Sequence, residues 1–491
     1  MAPVIAVDRK AASPLHRQVY DGYRTAILGG NLRAGQRVPS TRALALELGI
    51  SRIPVLEAYD QLLAEGYFES QTGAGTFVST SLPDQSPHNG HRANRVNLVL
   101  SGPREVSRRS MRVPLFENVS WLRGWGPFNQ SQLAFEHFPF QIWSSLVTRS
   151  SKNLRTNDLH YGDALGSEPL RKAIAIYLRT ARAVRCEPEQ IMIVGGSQQA
   201  LEISCRVLLD PGNSVWMEEP GYRLTRNILS AANCRIVPVP VDKEGLNVAA
   251  GIKKFRKARA AFVTPSHQYP LGVTMTISRR MQLLDWAQSV GGWIVEDDYD
   301  SEFRYESMPI ASLQGLDHYS RVIYIGTFSK VVFPSLRIGY IVIPLDLVER
   351  FFAVRHLMDL GSSRLYQTVL AAFMNEGHFA RHIRRMRLVY GQRRSALVEG
   401  IRREFGDRME ILGAEAGLHL VATLPKGMRD REIARIAGSQ NLWLWPLSPS
   451  YLGQNPRHGF ILGFGSTPVP DMPDAVRRMR DIIASVKDSP L

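Results

Sequence analysis

Apolar positions at helical spacing predict three helices at the start of the chain. The run SPLHRQVYDGYRTAILGG is amphipathic and stops at a glycine pair. The run VPSTRALALELGIS predicts a second, short helix, in which Ser40 or Thr41 serves as the N-cap and Gly49 ends the helix. The run RIPVLEAYDQLLAEGY predicts a third helix that Ser51 can cap. Two helices joined by a short turn that contains glycine predict a helix-turn-helix.

The segment YFESQTGAGTFVS follows the third helix and reads as two strands around a glycine-containing loop. It predicts a hairpin, or wing, appended to the helix-turn-helix. In such a module the N-terminal end of the recognition helix meets base edges, while other polar groups and helix ends hold phosphates. The candidate DNA-binding residues are Ser40, Thr41, Arg42, Ser51, Arg52 and Gly75.

Residues 80–112 mix Pro, Ser, Gly and Asn with scattered arginines and show no sustained periodicity, which predicts a flexible, basic linker. Its arginines could contact DNA phosphates, or the segment could be a solvated tether. The chain is therefore expected to divide into a DNA-binding domain at 1–79, the linker at 80–112 and a large domain at 113–491. The length agrees, because 491 residues exceed what one hydrophobic core usually organises.

Beyond residue 113, strand-like runs rich in β-branched residues alternate with amphipathic segments. Examples of these runs are IMIVGG, SVWMEEP, GWIVEDDY and VIYIGTFSK. The alternation predicts an α/β fold, a mostly parallel sheet wrapped by helices. Such sheets bind ligands at the carboxyl ends of their strands, which is where the polar residues of these runs fall.

Three features at these strand ends together predict one cofactor. After IMIVGG a helix opens, so its free N–H groups, with Ser197 and Gln198, form a phosphate seat. WIVEDDYDSEF ends in carboxylates that are costly to bury without a cationic or protonated partner. Lys330 lies among groups that suit a phosphate whose cofactor is joined to the lysine. Those neighbours are Thr327, Ser329 and Arg337. A phosphate seat, a buried aspartate and a Schiff-base lysine predict pyridoxal 5′-phosphate.

Net charge and the lengths of the apolar runs indicate which kind of partner and which cellular compartment to expect. The formal net charge of +15 favours a polyanionic partner. Because residues 1–79 carry nearly as many acidic as basic side chains, the DNA prediction rests on arrangement rather than on bulk charge. No apolar run is long enough to span a bilayer, and the N-terminal apolar stretch is interrupted too soon for a secretory signal. We therefore expect a cytoplasmic protein.

The three cysteines, Cys186, Cys205 and Cys234, are widely separated and show no metal-ligand spacing. They are expected to be reduced and mostly buried thiols. No metal site is predicted.

The pattern from Leu15 to Val78 resembles the GntR family of winged helix-turn-helix regulators. The matching pieces are AILGGNLRAGQRVPSTRALALELGIS, VLEAYDQLLAEGY and the GAGTFV wing. The resemblance implies binding to double-stranded promoter DNA. One departure concerns base reading, because the family usually has polar residues, often Asn-Thr, where this chain has Ile53 and Pro54.

The region from about Phe128 to Ser466 resembles the fold-type I aminotransferases, and the joined architecture resembles the MocR/GabR family of GntR regulators. The motifs that carry this are HYGDALGSEPLRKAIAIYLRTARAV, GGSQQALEI, EEPGYRLTR, TPSHQYPLG, EDDYDSEFRY and the lysine motif GTFSKVVFPSLRIGY. The resemblance implies that Lys330 bonds the cofactor, Asp297 pairs with its pyridine nitrogen and Tyr299 hydrogen-bonds its phenolic oxygen. It further implies that Tyr222 covers the ring and that Tyr161 reaches the phosphate of the partner subunit. The implied phosphate ligands are Ser197, Gln198, Thr327, Ser329 and Arg337.

Two departures from the aminotransferase pattern concern the ligand. This chain reads Tyr-Pro-Leu-Gly at 269–272 where aminotransferases usually carry Asn-Pro-x-Gly, so His267 or Gln268 is a candidate to serve the ring oxygen. Ile461 occupies the expected position of the arginine that binds the substrate carboxylate. Arg226 and Arg457 are candidates to replace that arginine, although either could be a structural or surface residue.

The prediction that joins these observations is a transcriptional regulator that depends on pyridoxal 5′-phosphate. It binds promoter DNA and senses an amine, an amino acid or a B6 vitamer. The family resemblance implies a homodimer, domain-swapped and head-to-tail. The alternatives are a working aminotransferase with an accessory DNA-binding module and a regulator that has lost cofactor binding. We expect sensing rather than catalysis, with a residual transaminase half-reaction possible.

Overall fold

A computed structural model describes residues 5–81, 105–114, 124–305 and 311–487. The chain forms two compact units, residues 1–104 and 105–491. Most of the linker expected at 80–112 lies outside the described residues. Its described end contains a one-turn helix, Arg108–Met111, that belongs to the second unit. There Arg112 hydrogen-bonds to Asn233, and Arg109 lies 3.9 Å from Glu202.

The first unit is the predicted helix-turn-helix with its wing. Its helices and strands are α1 Leu15–Leu28, α2 Thr41–Leu48, α3 Arg52–Ala64, β1 Phe68–Gln71 and β2 Gly75–Val78. The strands pair antiparallel. Ser40 caps α2, because its side chain accepts a hydrogen bond from the Ala43 N–H at 3.2 Å. Gly49 ends α2 with φ of +62°, a left-handed conformation that glycine adopts without strain.

Aromatic rings hold the recognition helix α3 against α1 and the wing. Tyr23, Tyr59 and Phe68 contact one another edge-on, with ring centroids 5.1–5.6 Å apart. The Tyr59 hydroxyl donates to the Pro39 carbonyl at 2.9 Å, which also ties α3 to the segment before α2. Such buried ring pairs stabilise a small core beyond the area that they bury.

The second unit is built on an eight-stranded sheet and a smaller four-stranded sheet. The strands of the large sheet are β3 Ile191–Val194, β4 Ser214–Glu219, β5 Arg235–Asp242, β6 Gly245–Leu246, β7 Ala260–Val263, β8 Trp293–Asp298, β9 Val322–Thr327 and β10 Gly339–Val342. The strands of the small sheet are β11 Ile411–Leu412, β12 His419–Thr423, β13 Trp445–Pro446 and β14 Gly459–Gly463.

The described α-helices of this unit surround the two sheets. They are α4 Arg108–Met111, α5 Phe140–Lys152, α6 Glu168–Arg182, α7 Ser197–Leu208, α8 Arg223–Ala231, α9 Val248–Phe255, α10 Ile277–Val290, α11 Leu313–Leu316, α12 Val348–Asp359, α13 Arg364–Asn375, α14 His378–Phe405, α15 Asp430–Ser439 and α16 Met472–Lys487. Along β3, Ile191 and Ile193 pack into one hydrophobic cluster, whereas Met192 and Val194 pack into another. The large sheet is therefore covered on both faces, as the α/β prediction requires.

The large sheet has the order β3-β10-β9-β8-β7-β4-β5-β6. Four neighbouring pairs, from β9 through β8, β7 and β4 to β5, are parallel, which agrees with the predicted mostly parallel sheet. Two strands differ: β6 pairs antiparallel with β5, and β10 lies antiparallel between β3 and β9. Strand β10 follows the lysine motif directly, so the chain reverses there beside the ends of β9 and β3. This reversal places the lysine motif next to the segment that follows β3.

No helix among the described residues is long and apolar enough to cross a membrane. All three cysteines are free; Cys186 and Cys205 are buried and Cys234 is half-buried.

Candidate cofactor site and nucleic-acid interface

The predicted phosphate seat is the N-terminal end of α7, between β3 and β10. Gly196 caps this helix with φ of +111°, a conformation that side chains rarely adopt. A Cβ atom at Gly196 would lie 3.3 Å from both terminal nitrogens of Arg337, so the guanidinium packs against bare backbone there. The N–H groups of the first helical turn have no acceptor within the helix. Free N–H groups, a positive helix end and a guanidinium together suit a phosphate.

Two hydroxyls and the lysine of the motif lie at the end of β9. Thr327 Oγ1 donates to Ser329 Oγ at 3.1 Å and accepts from the Ser329 N–H at 3.2 Å. Arg337 has φ of +52°, which is unusual for a residue with a side chain and marks local strain. The strained turn carries Arg337 back towards Gly196. The lysine motif and the phosphate seat thus meet, although Lys330 and Gly196 are more than a hundred residues apart in sequence.

We expect Gly196→Ala to lower affinity for pyridoxal 5′-phosphate by ~10–100-fold, the cost of losing hydrogen bonds to a charged group. The added methyl group would displace Arg337 and crowd the phosphate. Gly212→Ala is the matched control, because Gly212 has φ of +90° but a Cβ there would meet nothing within 4 Å. Cofactor affinity is measured by equilibrium titration of the cofactor-free protein. Equal losses in the two variants would mean that backbone strain, and not the seat, causes the effect.

Lys330 is an amine that burial shifts towards its uncharged form. Its Nζ donates to the Gln130 carbonyl at 2.9 Å. Burial lowers the pKa of Lys330, and the carboxylate of Asp300 opposes this only in part. A lysine with a lowered pKa has a larger neutral fraction and is a better nucleophile. Gln130 was not a sequence candidate, since nothing in its local pattern connects it with a lysine two hundred residues away.

Asp297, at the end of β8, is a buried carboxyl with an unsatisfied oxygen atom. Its Oδ1 has no hydrogen-bond partner among the described residues. Burial, followed by the charges of Asp298, Asp300 and Glu218, raises the pKa of Asp297 to about 7. A cationic N–H placed at Oδ1 would satisfy the oxygen and return the pKa towards its ordinary range. Asp297 therefore fits the ring nitrogen of a pyridinium.

Glu218 is a second buried carboxyl, and sequence reasoning missed it. It lines a small cavity together with Tyr222, Thr264 and Asp297. Its Oε2 accepts from the Thr264 hydroxyl at 2.7 Å, while burial raises its pKa to about 7. The motif EEPGYRLTR carries it, but the sequence does not indicate which of the two glutamates faces the site.

Tyr299 is fixed by a cluster of polar groups drawn from three elements. Its hydroxyl donates to the His267 carbonyl at 2.9 Å and lies 3.1 Å from His267 Nδ1. That ring nitrogen lies 3.2 Å from both carboxylate oxygens of Asp300. The His419 ring, from β12, is 4.8 Å from that of His267. Burial, with the neighbouring His267, lowers the pKa of His419 to about 3.

Most donor atoms of the cluster formed by His267, Asp300 and His419 already have protein partners. The donor atoms of His267, Asp300 and His419 lie within 4.8 Å of one another, a grouping that could hold a metal ion. However, His267 Nδ1 contacts Asp300, and His419 Nε2 lies 3.1 Å from the Pro270 carbonyl. His267 Nε2 has no partner among the described residues, so it remains available to a ligand. Asp300 and His419 were not sequence candidates, because only the fold brings the start of β12 to the segment after β8, where the Leu418 N–H donates to Asp300.

Gln268 and Tyr222 occupy different surroundings. The Gln268 amide is used by the turn: Nε2 donates to the Pro220 and Tyr269 carbonyls at 2.9 and 2.6 Å, and Oε1 accepts from the Leu271 N–H. It is thus less available to a ring oxygen than His267. Burial, followed by the neighbouring Tyr269 and the charge of Asp297, raises the pKa of Tyr222, and the Gln198 side chain partly opposes this. Tyr222 therefore lies between the phosphate seat and the carboxyl, where it could cover a ring.

Tyr161 and the two arginine candidates lie further out. Tyr161 is 88% exposed in the single chain. Arg226 is half-buried and its Nη1 donates to the Tyr451 carbonyl at 3.4 Å. Arg457 is exposed and pairs with Glu410 at 2.6 Å. Ile461 is buried among Leu271, Val421 and Leu447, so the expected position of the carboxylate-binding arginine is apolar.

On the first unit, the candidate DNA-binding residues gather where α2 meets α3. Arg52 Nε donates to Thr41 Oγ1 at 3.1 Å, which joins the first turns of the two helices. Ser51 is the N-cap residue of α3, but its side chain makes no capping hydrogen bond, so the prediction of a capping side chain is wrong; the exposed hydroxyl could instead bind a phosphate. Arg42 is exposed on α2.

Arg37 was not a sequence candidate, yet its guanidinium packs on the wing. A Cβ atom at Gly75 would lie 3.1 Å from Arg37 Nε, and Gly75 has φ of +114°. Gly75 therefore lets an arginine from outside the hairpin reach the wing.

We expect Arg52→Ala to weaken operator binding by roughly 1–3 kcal/mol, the range for one well-placed contact to a base. Arg17→Ala is the control, because Arg17 is equally exposed but pairs with Asp21 within α1 at 3.3 Å. Fluorescence anisotropy with labelled duplex measures both. Unchanged affinity in Arg52→Ala would remove Arg52 from the interface.

Two families match the chain. The gntR family of bacterial regulatory proteins matches residues 15–78, and the aminotransferase class I and II family matches residues 129–446. The first match covers the helix-turn-helix and wing, and the second covers the Lys330 motif and the strand ends around it.

Relatives and solved structures agree with these matches. The chain is 38% identical to the probable rhizopine catabolism regulatory protein MocR of Rhizobium meliloti, over 99% of this chain and 97% of the relative. It is 30% identical to the pyridoxine biosynthesis transcriptional regulator PdxR of Corynebacterium glutamicum, over 94% of each. The α-aminoadipate aminotransferase LysN of Thermus thermophilus, complexed with N-(5′-phosphopyridoxyl)-L-leucine, matches with a TM-score of 0.72 and 25% identity, covering 78% of this chain and 98% of that one.

Proposed function

We propose that this chain, which belongs to the MocR-type regulators that join a gntR-family domain to an aminotransferase class I and II domain, reports a small amine as a change in DNA binding. It is an HTH-type transcriptional regulator whose first unit binds DNA. The cofactor of its second unit is pyridoxal 5′-phosphate. A DNA-binding regulator works beside the chromosome, so the proposal places it in the cytoplasm.

The residues of the second unit would hold the cofactor at three points. Arg337, the start of α7 and the hydroxyls after β9 would hold the phosphate. Asp297 would keep a proton on the ring nitrogen, and Tyr299 would redirect its hydroxyl proton from the His267 carbonyl to the phenolic oxygen. When bound, pyridoxal 5′-phosphate supplies an aldehyde that reacts with amines and a ring that accepts electron density. Lys330, with its lowered pKa, would be the amine that an effector displaces.

The observation that carries sensing rather than catalysis is the buried Ile461. Transamination needs the substrate carboxylate fixed, so that its Cα–H bond lies properly across the ring and Lys330 can move the proton. An apolar side chain at that position cannot bind a carboxylate. Arg457 is a poor replacement, because Glu410 already neutralises it at the surface.

Arg226 is the better candidate for contacting the effector. It is half-buried beside Arg223 and Arg431, whose charges, after burial, help to lower its pKa. The carboxylate of Glu219 partly offsets these charges, and the remaining excess of positive charge around Arg226 favours an anionic group on the effector. One relative is named for pyridoxine biosynthesis and another for rhizopine catabolism, so B6 vitamers belong among the compounds to test beside amines and amino acids.

The proposal includes a homodimer. Tyr161, Leu159 and Leu357 are large side chains exposed on the second unit of the single chain. A twofold partner would cover such residues symmetrically. In it Tyr161 would reach the phosphate of the other subunit, and the linker would permit the swapped, head-to-tail arrangement that the family resemblance implies.

Titration of the cofactor-loaded protein with amines, amino acids and B6 vitamers tests the sensing proposal. Absorbance follows the cofactor, and a parallel assay measures keto acid. We expect one class of compound to change the absorbance without steady product formation. Continuous conversion to pyridoxamine 5′-phosphate and keto acid would instead make the chain an aminotransferase.

A further inference from the structure

Two large apolar side chains are exposed on the recognition helix of the first unit. Ile53 is 66% exposed and Leu56 is 42% exposed, in the first turns of α3. Three residues apart, they lie on the same face of the helix. The opposite face forms the core of the unit, through Val55, Ala58, Tyr59 and Leu62. Single exposed apolar residues are common in proteins, but a pair at the helix end that enters DNA needs an explanation.

The pair is surrounded by polar groups suited to DNA phosphates. Arg52 precedes Ile53 and is held to Thr41 at 3.1 Å, and the exposed Ser51, whose side chain makes no capping bond, lies one residue earlier. Arg42 is exposed on α2. Ser51 and Arg42 would anchor the end of α3 to the DNA backbone, while Arg52 contacts a base edge and Ile53 and Leu56 face the neighbouring bases.

The chemistry of the two side chains restricts what they can read. Neither has a hydrogen-bond donor or acceptor, so neither can distinguish bases by polar contacts. In the major groove thymine alone among the four bases presents a methyl group, at C5. Burying a methyl group against an aliphatic side chain is favourable by ~0.8 kcal/mol, which corresponds to a roughly fourfold change in affinity.

We propose that Ile53 and Leu56 read thymine in the operator by packing against its C5-methyl group in the major groove. This inference rests on the DNA binding of the first unit. It adds a preference for one base, which arises from apolar contact. Each half-site of the operator then contains thymine at one or two positions facing the start of α3.

Uracil substitution tests this directly, because uracil keeps the hydrogen-bonding edge of thymine and lacks only the methyl group. Operator duplexes are first selected from a random library with the full-length, cofactor-loaded protein. Each thymine of the selected sequence is then replaced by deoxyuridine, one position at a time. We expect a ~4-fold loss of affinity at one or two thymines of each half-site and little change elsewhere.

The variants Ile53→Ala and Leu56→Ala assign the effect to the side chains. Both positions are exposed, so the fold of the unit is retained. Each variant should remove the difference between thymine and uracil at its own position, while Ile176→Ala, an exposed isoleucine of the second unit, should leave the difference intact.

The outcomes separate this inference from DNA binding itself. A selected operator whose affinity does not change with uracil at any position would overturn thymine reading and leave DNA binding established. Uracil effects that persist at full size in both alanine variants would also overturn it. Failure to select any sequence would contradict DNA binding and thymine reading together.

Discussion

Replacement of Lys330 by alanine is expected to abolish covalent attachment of pyridoxal 5′-phosphate and, with it, the response to effector. The prediction follows from the position of Lys330, the half-buried amine after β9 whose pKa is lowered by burial. Borohydride reduction of the loaded protein followed by intact-mass measurement detects the attached cofactor. Wild type should gain one cofactor mass per chain, and Lys330→Ala should gain none.

The variant should remain folded and should still bind operator DNA. The substitution removes one hydrogen bond, from Nζ to the Gln130 carbonyl, which costs about 1 kcal/mol. The first unit has its own hydrophobic core and would be unaffected. Lys253→Ala, at an exposed lysine of α9, is the matched control and should attach cofactor normally. Attachment at full stoichiometry in Lys330→Ala would place the covalent bond on another lysine.

Adjacent aspartates at the end of β8 are expected to respond in opposite ways to the same isosteric change. Asp298 is paired with Arg182 at 2.8 Å and accepts from the Tyr324 hydroxyl at 2.6 Å. Asp298→Asn leaves the buried Arg182 without its counter-charge, which should lower the free energy of unfolding by roughly 3–5 kcal/mol. Asp297→Asn removes a buried charge whose Oδ1 has no hydrogen-bond partner in the described part of the chain, so it should stabilise the cofactor-free protein at alkaline pH.

The direction in which Asp297 changes the free energy of unfolding with pH follows from its pKa, which burial raises from 3.8 to about 7. A carboxyl that holds its proton more tightly when folded contributes stability below about pH 4, and this stability is lost as the pH rises through 7. Asparagine does not titrate. Asp297→Asn should therefore match wild type near pH 4 and exceed it by roughly 1–4 kcal/mol at pH 8.

Chemical denaturation of the cofactor-free variants across this pH range measures both effects. The same Asp297→Asn change should weaken binding of pyridoxal 5′-phosphate, because the ring nitrogen loses its anionic partner. If Asp297→Asn were destabilised at pH 8, as is expected for Asp298→Asn, Asp297 would have a cationic partner in the cofactor-free protein.

The features that sequence predicts well are encoded locally. The capping serine at 40, the stop at Gly49 and the hairpin after α3 each depend on a few neighbouring residues, and the structure has them where the pattern places them. The strand ends of the second unit are also predicted from local sequence. Their apolar runs predict β8 and β9, and so they predict that Asp297 and Lys330 follow buried strands.

The features that sequence could not predict depend on contacts between distant segments. β10 is as apolar as its parallel neighbours, and only its return beside β9 makes it antiparallel. His419 lies in an ordinary strand pattern and reaches His267 only because the small sheet packs against the large one. Arg37 precedes the helix-turn-helix and meets Gly75 only when the wing folds. In each case a residue acquires its role from topology.

The central claim, that ligand binding in the second unit changes DNA binding by the first, is tested most directly by operator affinity. It is measured on one preparation in three states: cofactor-free, loaded with pyridoxal 5′-phosphate, and loaded with the amine that alters its absorbance. A ligand shifts binding only through its different affinity for the two DNA-binding states. We predict at least a fivefold difference in operator affinity between two of these states, at the lower end of typical coupling. Equal affinity in all three would contradict the claim.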